Sequence, residues 1–154
     1  MAVRVRRGVW ETNSSSVHVI TFGKPEGDLP PGRIVVDSGE YGWGGECTSM
    51  LSYLMTATYG TSYHDRLLDA LGEAFPDCSF EFAEDGWYGV DHSDGLVNLV
   101  EALCEDPQLL RACILSGEVE LGNDNDGFPR GYDDCDDWEV LMRRGDGYRY
   151  VKGN

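Results

Sequence analysis

Basic residues are scarce in this chain of 154 residues: 12 Lys and Arg stand against 28 Asp and Glu, for a net charge of −16. A surface that negative repels nucleic acid and anionic membranes, and attracts a basic protein surface or a cation. Proline is scarce as well, at 6 residues, whereas glycine is not, at 20. That balance excludes a simple helical bundle and points to many turns and short elements. No apolar run approaches the roughly 20 residues of a membrane span. The N-terminal arginines have no apolar stretch behind them, so no secretory signal is read. The five cysteines, Cys47, Cys78, Cys104, Cys113 and Cys135, include no C-x-x-C pair, so neither a zinc ribbon nor a disulfide framework is indicated. Free thiols in a cytoplasmic protein are the expectation, and the Asn13-Ser14-Ser15 sequon then has no glycosylating compartment to act in.

What is present suffices for a core. Hydrophobic content is 41% and aromatic content 11%, and a chain this long can bury about 70% of the surface its unfolded form exposes. Period-2 alternation predicts a strand over Ser15–Phe22, with Val17, Val19 and Thr21 on one face and His18, Ile20 and Phe22 on the other. Val3–Val5 or Arg33–Val36 are its expected partners. Gly23–Gly32 and Asp37–Gly45 read as loops. Helical runs follow. Thr48 opens one through Met50, Leu51, Leu54, Met55 and Ala57 to a stop at Gly60. Ser62 is the expected cap of the next, with Leu67, Leu68, Leu71 and Phe75 inward and His64 at the surface. Cys78–Ala83 alternates as a strand turned by Glu84-Asp85-Gly86. Gly95–Cys104 turns Leu96, Leu99, Val100 and Leu103 inward. Asp106-Pro107 is a cap and first-turn proline, and Gly117 ends that helix. A short strand over Glu118–Leu121 is followed by a hairpin of Trp138–Met142 and Tyr148–Val151. The expected architecture is one α+β domain spanning 1–154: a mostly antiparallel sheet with about four helices packed on one face.

The segment Arg7-Gly8-Val9-Trp10-Glu11-Thr12-Asn13-Ser14-Ser15-Ser16-Val17-His18 resembles the opening of a group of small phage and prophage proteins that reads G-V-F-E-T-N-S-S-S-x-H. Three further stretches resemble the same group in the same order: Gly39–Trp43 followed by Leu51–Leu54, then Asp91-His92-Ser93, one residue shorter than its counterpart, then Gly122–Asn125. The resemblance implies a context, the accessory genes of mobile elements, rather than a biochemical activity.

Two constellations carry chemistry. On an extended backbone Ser14, Ser16 and His18 project to one face, with Glu11 and Asn13 near the turn. Joined by Asp91, His92 and Asp124, they would form a nucleotide, phosphate or metal pocket in which an imidazole beside an acid acts as general base. The ordinary alternative is a turn whose Asn and Ser side chains satisfy local backbone. There is no G-x-S-x-G elbow, which argues against a serine hydrolase. Asn123–Gly127 has the look of a calcium loop, but taking Gly127 as the sixth position puts Gly122 first, where an acid is required, so an EF-hand is not supported.

The second constellation is charge. Residues 81–139 hold 17 acids against only Arg111 and Arg130, while both ends of the chain are basic. Its densest part, Asp133, Asp134, Asp136 and Asp137 with Glu139, lies close to Asp124, Asp126 and Trp138. Most such runs are solvated loops. Duplex DNA, however, presents one negative charge per ~1.7 Å of axis to the Lys/Arg grooves that grip it. An acidic face with aromatic anchors could occupy such a groove. The expected function is therefore that of an acidic accessory protein, resembling anti-CRISPR and other DNA-mimic inhibitors. It would compete for the basic surface of a host nucleic-acid-handling complex in the cytoplasm, without binding nucleic acid itself. No cofactor and no metal are expected. The alternative is a nucleotide-directed or group-transfer enzyme built around the E-T-N-S-S-S-V-H segment.

Overall fold

Alternating apolar residues build the centre of the fold around β1 (Val17–Phe22), whose residues are all buried except Thr21. The computed structural model describes residues 17–25, 27–41, 49–83, 89–90, 96–122 and 139–152. In chain order its elements are β1, β2 (Gly32–Asp37), β3 (Glu40–Tyr41), α1 (Met50–Thr58), α2 (Tyr63–Ala74), β4 (Cys78–Ala83), β5 (Gly89–Val90), α3 (Val97–Glu105), α4 (Pro107–Ser116), β6 (Glu118–Gly122), β7 (Glu139–Arg144) and β8 (Gly147–Lys152). The α+β class with a mostly antiparallel sheet holds.

The main sheet has the order β6-β1-β8-β7, with every pairing antiparallel. The expected pairing of β1 with Arg33–Val36 is not what forms. β2 instead runs parallel to β4, from Gly32 beside Cys78 to Asp37 beside Ala83, and β3 pairs in parallel with β5 as a separate two-stranded sheet. Alternation fixes which face of a strand is apolar, but the pairing edge is the same backbone N–H and C=O pattern in every strand, so partner choice falls to packing. Val3–Val5 lie outside the described residues.

Burial follows the two faces of β1. Ile20 and Phe22, with Tyr150 of β8, join the core formed by all four helices, including Tyr53, Leu54, Leu67, Leu71, Leu99, Leu103 and Leu110. Each fully buried leucine contributes about 1.5–3 kcal/mol by leaving water. Val17, Val19 and Val151 make a second, smaller cluster, with Met142 packed against it.

Local signals set most helix ends. Ser49 caps α1, its hydroxyl accepting from the Ser52 N–H at 3.1 Å, and the helix stops before Gly60 at φ +77°. Asp106 caps α4 by accepting from the N–H groups of Gln108 and Leu109, with Pro107 in the first turn. Gly117 closes that helix, its N–H donating to the Cys113 carbonyl at 2.8 Å. Ser62, expected to cap α2, has helical backbone angles and makes no side-chain cap bond. Thr61 takes the role instead, accepting from the Tyr63 N–H at 3.2 Å. His64 is half-buried rather than a surface residue: its Nδ1 lies 3.2 Å from the Thr58 hydroxyl and its ring packs edge-on against Tyr59 and Phe82. Its helix turns it toward β4, which periodicity along α2 alone did not reveal.

Candidate functional site

The register of the main sheet sorts the candidate residues to one end. Val17 pairs with Gly122, and His18 lies between Leu121 and Lys152, which in turn pairs with Glu139. Three chain segments therefore enter or leave at this end: the one holding Glu11, Ser14 and Ser16, which leads into β1, and the two ends of the 123–138 connection. Since β6 and β7 are opposite edges of the sheet, that connection has to bridge three inter-strand spacings, about 14 Å. The segment richest in carboxylates thus leaves from the strand beside β1 and returns at the far edge of the same sheet.

His18 itself is fully buried, at 0% exposure. Its Nδ1 lies 2.6 Å from the hydroxyl oxygen of Tyr53, and the two rings are tilted at 55° with centroids 5.9 Å apart. Tyr53 comes from the second turn of α1 and is also fully buried. Lys152, the cross-strand neighbour of His18, is a third buried polar side chain on this row. Burying a polar group is costly unless it is hydrogen-bonded, and burying a charge more so. A hydrogen-bonded imidazole with no exposed surface orients and rigidifies; it does not present a base to solvent as the proposed catalytic pocket requires. Of the other members of that pocket, Glu11, Asn13, Ser14, Ser16, Asp91, His92 and Asp124 lie outside the described residues. Asp91 directly follows β5, which packs on α1, the helix carrying Tyr53.

The acidic candidates divide in the same way. Asp124, Asp126, Asp133, Asp134, Asp136, Asp137 and Trp138 lie outside the described residues, and of Glu139 the backbone pairing alone is described. Other carboxylates are placed. Glu81 is paired with Arg33 on the exposed parallel ribbon. Asp28 is paired with Arg111 at 3.2 Å, and the hydrogen bond from that guanidinium, then that from the Leu29 N–H, holds its carboxyl below the usual range. Glu118 and Glu120 project from β6, an edge strand, where charge opposes pairing with a foreign strand.

One acidic feature escaped the reading of the sequence. Asp65, Asp69 and Glu73 are all exposed on α2 at a spacing of four, with no basic residue in its last turn. They form a stripe with carboxylates about 6 Å apart along the axis. Like charges at this spacing cost roughly 0.2–0.5 kcal/mol per pair, and Glu73 sits at the helix end that the backbone dipole makes unfavourable for an anion. The i, i+4, i+8 spacing was the available signal.

No helix among the described residues is long and apolar enough to cross a membrane. No group of His, Cys, Asp and Glu suited to holding a metal ion occurs among them. Comparison with protein-family models, with curated proteins and with solved structures yields no significant match.

Proposed function

We propose that this chain is an acidic accessory protein of a phage or other mobile element that antagonises a host defence. It would compete, as anti-CRISPR inhibitors do, for the basic nucleic-acid-binding surface of a host complex. The observation that carries the reading is the concentration of negative charge in the sequence: 17 acids against two arginines over residues 81–139, together with the exposed α2 stripe of Asp65, Asp69 and Glu73. Neither arrangement favours folding. Like charges close together repel, and a cationic partner or salt relieves that repulsion. The mobile-element context rests on the resemblance of the Arg7–His18 segment.

The mechanism is steric and electrostatic. Carboxylates of the 123–138 connection and of α2 take positions that phosphates would occupy in a Lys/Arg groove, and Trp138 anchors the contact as aromatic residues do at the centre of interfaces. Association is then fast at low salt and slows steeply as salt rises.

The test is binding to a basic nuclease or nucleic-acid-binding complex across a salt series, for the wild type and for two charge-neutralised variants. One variant changes Asp133, Asp134, Asp136 and Asp137 to Asn; the other changes Asp65 and Asp69 to Asn and Glu73 to Gln. Competition with nucleic acid that weakens with salt and with neutralisation is expected. Affinity indifferent to salt, or retained in both variants, defeats the reading.

A further inference from the structure

The two-stranded sheet of β2 and β4 carries an inference that stands apart from the acidic segments and from the function proposed above. Parallel strands ordinarily lie inside larger sheets, covered on both faces. Here one face is covered: Ile34 and Val36 of β2, with Phe80 and Phe82 of β4, pack against the helical core. The other face is open. It presents Arg33, Val35 and Asp37, all exposed, beside Ser79 and Glu81. Val35, 49% exposed, is the only large hydrophobic residue left exposed among the described residues.

The outer edge of β2 is open as well. Gly32 donates its N–H to the Asp77 carbonyl at 2.9 Å, and backbone groups alternate in direction along a strand. Gly32, Ile34 and Val36 therefore turn toward β4, and Arg33, Val35 and Asp37 turn their N–H and C=O groups the other way. On that side one bond to the strand backbone occurs among the described residues: the Ser52 hydroxyl donates to the Asp37 carbonyl at 2.7 Å. That carbonyl keeps a second lone pair. Unpaired backbone groups on an exposed strand are a template for another strand, and side-chain pattern selects which one. Arg33, Val35 and Asp37 read positive, apolar, negative on one face. Laid antiparallel on a copy of itself about Val35, β2 sets Val35 against Val35 and each Arg33 opposite the other copy's Asp37. Asp37 has no basic partner among the described residues. Arg33 holds Glu81 of its own chain through Nε and Nη2, and Nη1 remains for the second copy. β6, an edge of the main sheet, behaves otherwise: pairing with its copy about Val119 or Glu120 sets glutamates against each other.

We propose that β2 pairs antiparallel with β2 of a second copy of this chain, giving a continuous sheet of order β4-β2-β2-β4. The interface is isologous, the same strand meeting itself across a two-fold axis. Opposite charges and apolar residues set directly across antiparallel strands favour pairing, and like charges oppose it. Both copies are acidic overall, but repulsion between them is screened over about 8 Å at physiological ionic strength. One strand from each copy is a small contact, so association is weak and depends on concentration.

Sedimentation equilibrium of the full chain from about 1 µM to 1 mM, at about 0.15 M salt, tests the pairing. A monomer–dimer equilibrium with a dissociation constant of about 10–300 µM is expected. Asp37→Arg sets arginine against arginine, and Arg33→Asp sets aspartate against aspartate, at two places in each dimer. Each substitution alone should raise the dissociation constant about tenfold or more. The Arg33–Glu81 pair that Arg33→Asp removes is exposed and contributes little to folding, and circular dichroism confirms that each variant is folded. Mixed in equal amounts, the two variants complement each other and should associate about as tightly as the wild type. Val35→Lys, which brings two lysines face to face, should leave the chain monomeric. A wild type that stays monomeric throughout overturns the proposal and leaves this edge to a strand of another protein. A dimer unchanged by Asp37→Arg and Val35→Lys also overturns it, since the contact then lies elsewhere.

Discussion

Two glycines should respond to the same substitution with opposite sign. Gly117 terminates α4, and a Cβ built on it would stand 2.2 Å from the Cys113 carbonyl oxygen and 2.5 Å from the Met50 Cγ of α1. The Met50 side chain can shift, but the carbonyl is helix backbone and is already bonded to the Gly117 N–H at 2.8 Å. Relief of the clash must pull the chain away from Cys113 and sacrifice the bond that caps α4. Overpacking of this kind costs about 1–3 kcal/mol, and the lost hydrogen bond about 1 more. Gly117→Ala should therefore destabilise the protein by roughly 2–4 kcal/mol. Gly72 lies in the exposed interior of α2, and its added Cβ would meet nothing within 4 Å. There alanine removes backbone freedom from the unfolded chain and should stabilise by about 0.5–1 kcal/mol. Equilibrium urea unfolding of the two variants beside the wild type measures both values. If Gly117→Ala unfolds at the wild-type midpoint, or the two substitutions shift it the same way, the close packing of α1, α4 and the start of β6 described above is wrong.

Two further outcomes follow from the buried groups. Tyr53→Phe deprives the His18 Nδ1 of its 2.6 Å partner inside the core, which should cost about 1–3 kcal/mol in urea unfolding; unaltered stability would show that this contact contributes nothing. Thiol labelling mapped by mass spectrometry should find Cys113 unreactive until the protein unfolds, since full burial removes access and pushes its thiol far above the ordinary range. Cys104, raised chiefly by partial burial and eased by Arg66, should label in the native state only as pH climbs past the usual cysteine value near 8.5. Rapid labelling of Cys113 at neutral pH contradicts the packing of α4.

The elements of this fold were largely legible in the sequence because their signals are local. Alternation in Val17–Phe22 marks β1 and its two faces, Asp106-Pro107 and Gly117 bracket α4, and the apolar positions Leu96, Leu99, Val100 and Leu103 are all buried as their spacing predicts. The charge asymmetry behind the proposed function is likewise a property of the sequence. The α2 carboxylate stripe was legible too, but only as a spacing of four within one helix.

Tertiary structure alone decided which strands meet. β1 pairs with β6 and β8, both far along the chain, while β2, its neighbour in sequence, leaves to run parallel to β4. That choice sealed His18 beneath the sheet against Tyr53, where the sequence had suggested a residue open to substrate. It also set Arg144 and Arg149 diagonally across Gly147. Side-chain pattern specifies the face a residue occupies, because that depends on the residue and its near neighbours. Contact across strands depends on which backbone edges the packed core brings into register, and no short stretch of sequence contains that information.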